Sequence, residues 1–257
     1  MATITQHAPG TFCWPELATT DQKAAQKFYS ALFGWTSNDV PMQEGETYSL
    51  LMLGDESVGA LYQMRAEEAK HMPPHWNSYV SVTSADQSAA KARELGATLL
   101  MEPFDVMDLG RMAVIQDPTG AAFCLWEGKK NIGVSLLGAP GSLIWTELMT
   151  SDTAKAKAFY TGLLPWNAAD FPMPDFVYTR FQRGEEGAAG MMQVPHPSIP
   201  PHWMPYFGVA NCDESFAKAT ELGAETIMPI KEMPGTGKFA ILKDPQGAPF
   251  SIFQSLR

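Results

Sequence analysis

Residues 10–21 read GTFCWPELATTD, and residues 141–152 read GSLIWTELMTSD. At a shift of 131 positions Trp14 falls on Trp145, Glu16 on Glu147 and Asp21 on Asp152. The same shift sets Phe28-Tyr29 on Phe159-Tyr160 and Trp35 on Trp166. At a shift of 127, Pro73-Pro74-His75-Trp76 falls on Pro200-Pro201-His202-Trp203, and Leu95-Gly96-Ala97 on Leu222-Gly223-Ala224. Asp117-Pro118-Thr119-Gly120-Ala121 likewise falls on Asp244-Pro245-Gln246-Gly247-Ala248. The period far exceeds that of a solenoid repeat, so each copy reads as a complete domain. The boundaries are 10–127 and 141–257, with a linker over 128–140 that carries Lys129-Lys130.

Each copy has a two-part rhythm. FCWPEL alternates as a strand does. Thr20-Asp21 offers an N-cap, Ala24, Ala25, Phe28 and Leu32 follow at helical spacing, and Gly34 closes the helix. Strand candidates follow at Trp35–Val40, Tyr48–Leu53 and Ser57–Gln63. The second part repeats the scheme: a strand over Trp76–Thr83, a helix over Asp86–Leu95, then strands at Thr98–Met101, Arg111–Gln116 and Ala122–Trp126. Asp-Pro-x-Gly suits a tight turn, since Pro presets φ and Gly accepts the left-handed conformation. The pattern is βαβββ twice per copy, an α+β class.

Composition bounds the function. The net charge of −10 is spread along the chain and gives no basic cluster of the kind nucleic acid requires. An anionic ligand would need a local basic spot, and Arg65, Arg111, Arg180, Arg183 and Lys238 are the residues placed to supply one. Cys13, Cys124 and Cys212 have no metal-knuckle spacing and read as reduced thiols of a cytoplasmic protein. The amino-terminal Met-Ala-Thr-Ile-Thr-Gln-His reads as no secretory signal, and no apolar run is long enough to span a membrane.

The βαβββ pairing, the T-x-D…FY…W stretch, the LGA helix end and the DPxGA hairpin resemble the vicinal oxygen chelate superfamily of glyoxalases, bleomycin-resistance proteins and extradiol dioxygenases. Together, W-x-E-L-x-T-x-D, PPHW and DPxGA are similar to a tandem subgroup common in actinobacteria, which includes culture-filtrate antigens and proteins labelled hydroxylases. The resemblance implies curved-sheet cups, two per chain, with helices outside.

It also implies where a divalent metal would be held. The family's first-strand ligand position falls on Trp14 and Trp145, its last-strand position on Cys124 and Ser251, and the strand opening the second module brings Tyr79 and Tyr206. Tryptophan donates only an N–H, and Tyr, Ser or a lone Cys replaces imidazole and carboxylate poorly. The expectation is therefore no metal and no cofactor. His75 and His202, the histidines that recur, are expected at the rim.

If Trp14 points into its cup, alternation brings Phe12 and Glu16 with it, and Leu143 and Glu147 with Trp145; Trp126 follows Cys124, and Phe253 follows Ser251. Apolar aromatic walls with one carboxyl suit a small organic ligand. Glu16 and Glu147 are the candidates for a ligand anchor or general base, or else structural carboxyls bound to backbone, Arg111 or Lys238. The expected function is binding of an aromatic or drug-like molecule in one or both cups by a monomer or homodimer. The alternatives are a metal-dependent glyoxalase-type lyase or isomerase, an extradiol-type dioxygenase, or a structural protein whose cups are filled.

Overall fold

The computed structural model describes residues 4–42 and 45–256. Met1-Ala2-Thr3 of the amino-terminal stretch, and Arg257, lie outside the described residues.

The first half runs β1 (Phe12–Thr19), α1 (Gln22–Phe33), β2 (Thr36–Pro41), β3 (Thr47–Leu53), β4 (Glu56–Gln63), a short α2 (Glu68–His71), β5 (His75–Ser81), α3 (Ala85–Glu94), β6 (Thr98–Val106), β7 (Gly110–Gln116) and β8 (Ala122–Gly128). The second runs β9 (Leu143–Thr150), α4 (Thr153–Leu163), β10 (Asn167–Pro172), β11 (Val177–Arg183), β12 (Glu186–Gln193), β13 (His202–Gly208), α5 (Cys212–Glu221), β14 (Glu225–Met233), β15 (Gly237–Lys243) and β16 (Pro249–Ser255). Each half forms one 8-stranded sheet, ordered β2-β3-β4-β1-β5-β8-β7-β6 and β10-β11-β12-β9-β13-β16-β15-β14. The opening strands of the two modules, β1 and β5, pair antiparallel at the centre, and each is flanked by a parallel partner, β4 or β8. This is the α+β architecture, one sheet per half, that the resemblance implies.

Local chemistry accounts for the element ends. Asp21 accepts a hydrogen bond from the Ala24 amide at 3.0 Å as the N-cap of α1, and Gly34 ends the helix at φ 77°. In the first DPxG turn, Asp117 Oδ1 accepts from the amides of Thr119, Gly120 and Ala121.

The repeated motifs build the junction between the halves. Tyr29 of α1 donates to Asp244 at 3.0 Å, and Tyr160 of α4 donates to Asp117 at 2.8 Å, so each helix grips the turn of the other half. Trp76 and Trp203 donate to those same hydroxyls at 3.2 and 2.9 Å. The Trp35 indole reaches the carbonyl of Gly141, and that of Trp166 the carbonyl of Gly10. Phe12 packs on Trp203 with ring centroids 4.8 Å apart, and Trp35 on Phe207 at 5.4 Å. One buried apolar cluster therefore runs through both halves.

The alternation expected for the opening strands fails at one point in each half. The β1–β5 ladder shifts register between Phe12 and Trp14, and the β13–β9 ladder shifts between Tyr206 and Phe207. The extra residue of a bulge breaks the two-residue period. Phe12 and Leu143 thus join the inter-half core, while Cys13 and Ile144 turn to the cup side with the tryptophans.

Candidate functional site

The residues at the family's ligand positions lie side by side. Trp14 pairs with Tyr79 across β1 and β5, and Tyr79 pairs with Cys124 across β5 and β8. The second half repeats the row as Trp145, Tyr206 and Ser251. Trp126 stands with Cys124 in the first cup cluster, and Phe253 packs against Tyr206 and Ile241 in the second.

Glu16 lies at the centre of the first cup. Tyr48 donates to its Oε2 at 2.5 Å and Tyr79 to its Oε1 at 2.9 Å, while the Asn77 amide approaches Oε1 at 3.4 Å. The Trp14 indole donates in turn to Tyr48 Oη at 3.1 Å. Burial pushes the Glu16 pKa up, and the hydrogen bonds from the phenols and Asn77 only partly oppose it. Glu147 repeats the plan: Tyr206 donates to Oε1 at 2.9 Å, and Trp145 donates to Tyr178 Oη at 3.1 Å. Met204 faces Glu147 where Asn77 faces Glu16, and burial again raises the carboxyl's pKa. Tyr48 and Tyr178 are components that sequence reading missed. They come from β3 and β11, which hold none of the family's ligand positions. Their position near the start of the matching strands was the available signal.

The ion-pair alternative for the carboxyls is corrected by the structure. Arg111 pairs with Asp86 and Asp105, and Lys238 with Asp213 and Glu232, on the helix side of each sheet. The carboxyls are satisfied by phenols instead. His75 and His202 each place Nδ1 2.8 Å from a carbonyl, that of Pro73 and of Pro200, inside the turn that opens β5 or β13. Cys124 is buried and its thiol pKa is pushed up by burial, so it is held as a thiol rather than a thiolate.

Among the described residues no group of three or more His, Cys, Asp or Glu is placed to hold a metal ion. Glu16 has both oxygens committed to phenols, with an indole and a thiol along the row. This donor set does not fit a divalent ion of the kind the fold family uses. What it can do is hold a proton in an aromatic enclosure and present hydrogen bonds there.

Two surface clefts are lined by residues outside the two cup clusters. One of about 280 Å³ is lined by Gln22, Glu46, Gln63 and Arg65, and another of about 410 Å³ by Pro9, Val82, Ser84 and Leu164. Inside the first cup the chain's own rings occupy the space. A Cβ on Gly110 would lie 2.4 Å from Trp126, whose indole donates to the Asn131 carbonyl at 2.8 Å.

Comparison with known proteins agrees with this architecture. Residues 16–126 match the family model described as "Glyoxalase-like domain", and residues 142–252 match "Glyoxalase/Bleomycin resistance protein/Dioxygenase superfamily". The Mycobacterium tuberculosis protein named "Putative glyoxylase CFP32" is 39% identical over 251 residues, covering 97% of this chain and 96% of its own. The Streptomyces peucetius "Anthracycline biosynthesis protein DnrV" is 32% identical over 263 residues, covering 98% and 95%. Among solved structures, the Mn(II)-bound glyoxalase from Novosphingobium aromaticivorans superposes with a TM-score of 0.67 at 14% identity, covering 97% of this chain and 83% of that one. The 2,3-dioxygenase LapB from Pseudomonas sp. KL28 gives 0.64 at 15% identity, covering 99% and 93%. At these identities the structural matches speak for the fold alone.

Proposed function

The chain belongs to the glyoxalase/bleomycin resistance protein/dioxygenase superfamily, and we propose that within it this protein binds a small aromatic or drug-like molecule without a metal or other cofactor. The observation that carries this reading is the replacement of a chelating set by an indole, a phenol and a thiol or hydroxyl, beside one buried carboxyl in each cup. Such walls gain affinity by excluding water from flat apolar surface, and the carboxyl and phenols fix orientation. The relative named for anthracycline biosynthesis is consistent with an organic ligand of that general kind. We further propose that the protein acts as a monomer or homodimer with no nucleic-acid or membrane partner, in a reducing, cytoplasmic setting. Its cysteines are free and buried, and among the described residues no helix is long and apolar enough to cross a membrane.

The test is a thermal-shift and equilibrium-dialysis screen of the full chain against neutral, acidic and cationic aromatic compounds, run beside elemental analysis of protein purified without chelator. The expected result is a shift with at least one aromatic class and no stoichiometric metal. Tightly held manganese, iron, nickel or zinc at one ion per cup would replace this reading with the metal-dependent lyase or dioxygenase one.

A further inference from the structure

The two cups share a plan but are closed differently. In the first half, the segment after β8 turns back over the cup. The Val134 amide donates to the Cys13 carbonyl at 2.8 Å, and Ser135 and Ser57 exchange hydrogen bonds at 2.8 and 2.9 Å. The side chain of Val134, fully buried, packs with Trp14, Ala60, Tyr79, Met112, Cys124 and Trp126. His7 in turn holds the Val134 carbonyl at 2.8 Å. The linker is thus a plug in the first cup.

Among the described residues no backbone hydrogen bond to Ile144, the counterpart of Cys13, repeats the Val134 contact, and no linker residue joins the second cup's cluster. Trp145, Phe239 and Phe253 are half-buried where Trp14, Met112 and Trp126 are buried, and Gly187, the counterpart of Ser57, is exposed. At this end stands Arg180 of β11. It shares the cup-facing side with Tyr178, two residues before it. In register it lies across from Gly190, which lies across from Glu147. Its position in the first cup is filled by Leu50. The guanidinium and the Trp145 ring converge over Gly187, where a Cβ would lie 2.8 Å from Nη2 and 3.0 Å from Cζ3.

Arg180 forms no ion pair among the described residues. The acids of the adjoining strands, Asp170 of β10 and Glu186 of β12, pair with Lys157 and Arg183. The other basic residues singled out in the sequence are also paired: Arg65 with Glu46, Arg111 with Asp86 and Lys238 with Asp213. Glu147 accepts its hydrogen bond from Tyr206 and forms no ion pair with Arg180 among the described residues. A half-buried cation beside an aromatic wall suits a flat anion, because a guanidinium pairs with a carboxylate through two parallel hydrogen bonds.

We infer that the second cup, and not the first, takes the ligand, and that the ligand is a flat aromatic acid whose carboxylate pairs with Arg180. This rests on the small-molecule reading above and narrows it to one cup and one charge class. The test uses the full chain, calorimetric titration and two isosteric probes, 2-naphthoate and its neutral amide. The expected result is one naphthoate per chain. Arg180→Leu, which installs the first cup's residue, should weaken naphthoate about tenfold or more while leaving the amide's affinity unchanged. Unfolding curves of the variant serve as the control for folding. If both probes bind Arg180→Leu as they bind the parent, the charge assignment is overturned and the small-molecule reading stands. Two equivalent naphthoates per chain would overturn the plugged first cup. If neither probe binds, this inference fails; a thermal shift by other aromatic compounds in the wider screen would then leave the parent reading in place, and none would remove both.

Discussion

Glu147 sits 7% exposed, with Tyr206 on one oxygen and an aromatic wall around it. Burial raises its pKa above the ordinary Glu value of 4.5. The folded protein therefore holds this proton more tightly than the unfolded chain does. Its contribution to stability is fully present below the unfolded value and is lost as pH rises through the folded one. Glu147→Gln keeps the shape and the bond from Tyr206 and removes the titration. The variant should match the parent at about pH 4.5 and exceed it in stability near pH 9. Thermal unfolding at the two pH values checks this; parallel curves would mean that the carboxyl ionises freely. Sequence alone could place Glu16 and Glu147 in the cups, because the strand and its alternation near Trp14 are local properties. It could not supply the phenols that hold them. Tyr48 is 32 residues from Glu16 and Tyr79 is 63, and only the sheet brings them together.

At the scale of elements, the opening strands and the linker carry the differences that a residue pattern does not display. The bulge at Cys13 sends Phe12 into the inter-half core and lets the Cys13 carbonyl receive Val134. Period-two reading assumes an unbroken ladder, so Phe12 and Leu143 were assigned to the wrong face for a physical reason. The Lys, Gly and Pro content of the linker is that of a surface connection, whereas its middle, Gly133 and Val134, is buried. Gly133 adopts φ +116°, and a Cβ there would meet the Cys13 carbonyl oxygen at 2.4 Å. Gly138 in the same linker has φ +77° but nothing within 4 Å. Gly138→Ala therefore pays only the left-handed backbone cost, about 1–2 kcal/mol. Gly133→Ala must also push Val134 off the first cup, and about 3 kcal/mol or more is expected. Urea unfolding of the pair measures the difference. Equal losses would show that the linker does not lean on β1.

For the molecule as a whole, the motifs that expose the duplication in the sequence turn out to make the seam between its copies. Phe28-Tyr29, Trp35, Trp76 and the Asp-Pro-x-Gly turn recur because each half presents them to the other. A single copy shows only their spacing, with the partner atoms 215 residues away for Tyr29 and Asp244. The fold class was legible because periodicity and turn chemistry are local. The seam was not, because its contacts join distant parts of the chain. A common apolar cluster and reciprocal buried bonds couple the halves, so calorimetry should record one unfolding transition, with no step for a free half. Tyr160→Phe tests the coupling directly. It removes the 2.8 Å bond to Asp117 Oδ2 and the acceptor for Trp203, and leaves a 3% exposed carboxylate short of a donor. A loss of about 1–3 kcal/mol is expected, in the single transition of the whole chain. If the variant instead unfolds in two steps, the halves are separable domains that merely touch. The cup asymmetry would then have to arise from the linker alone.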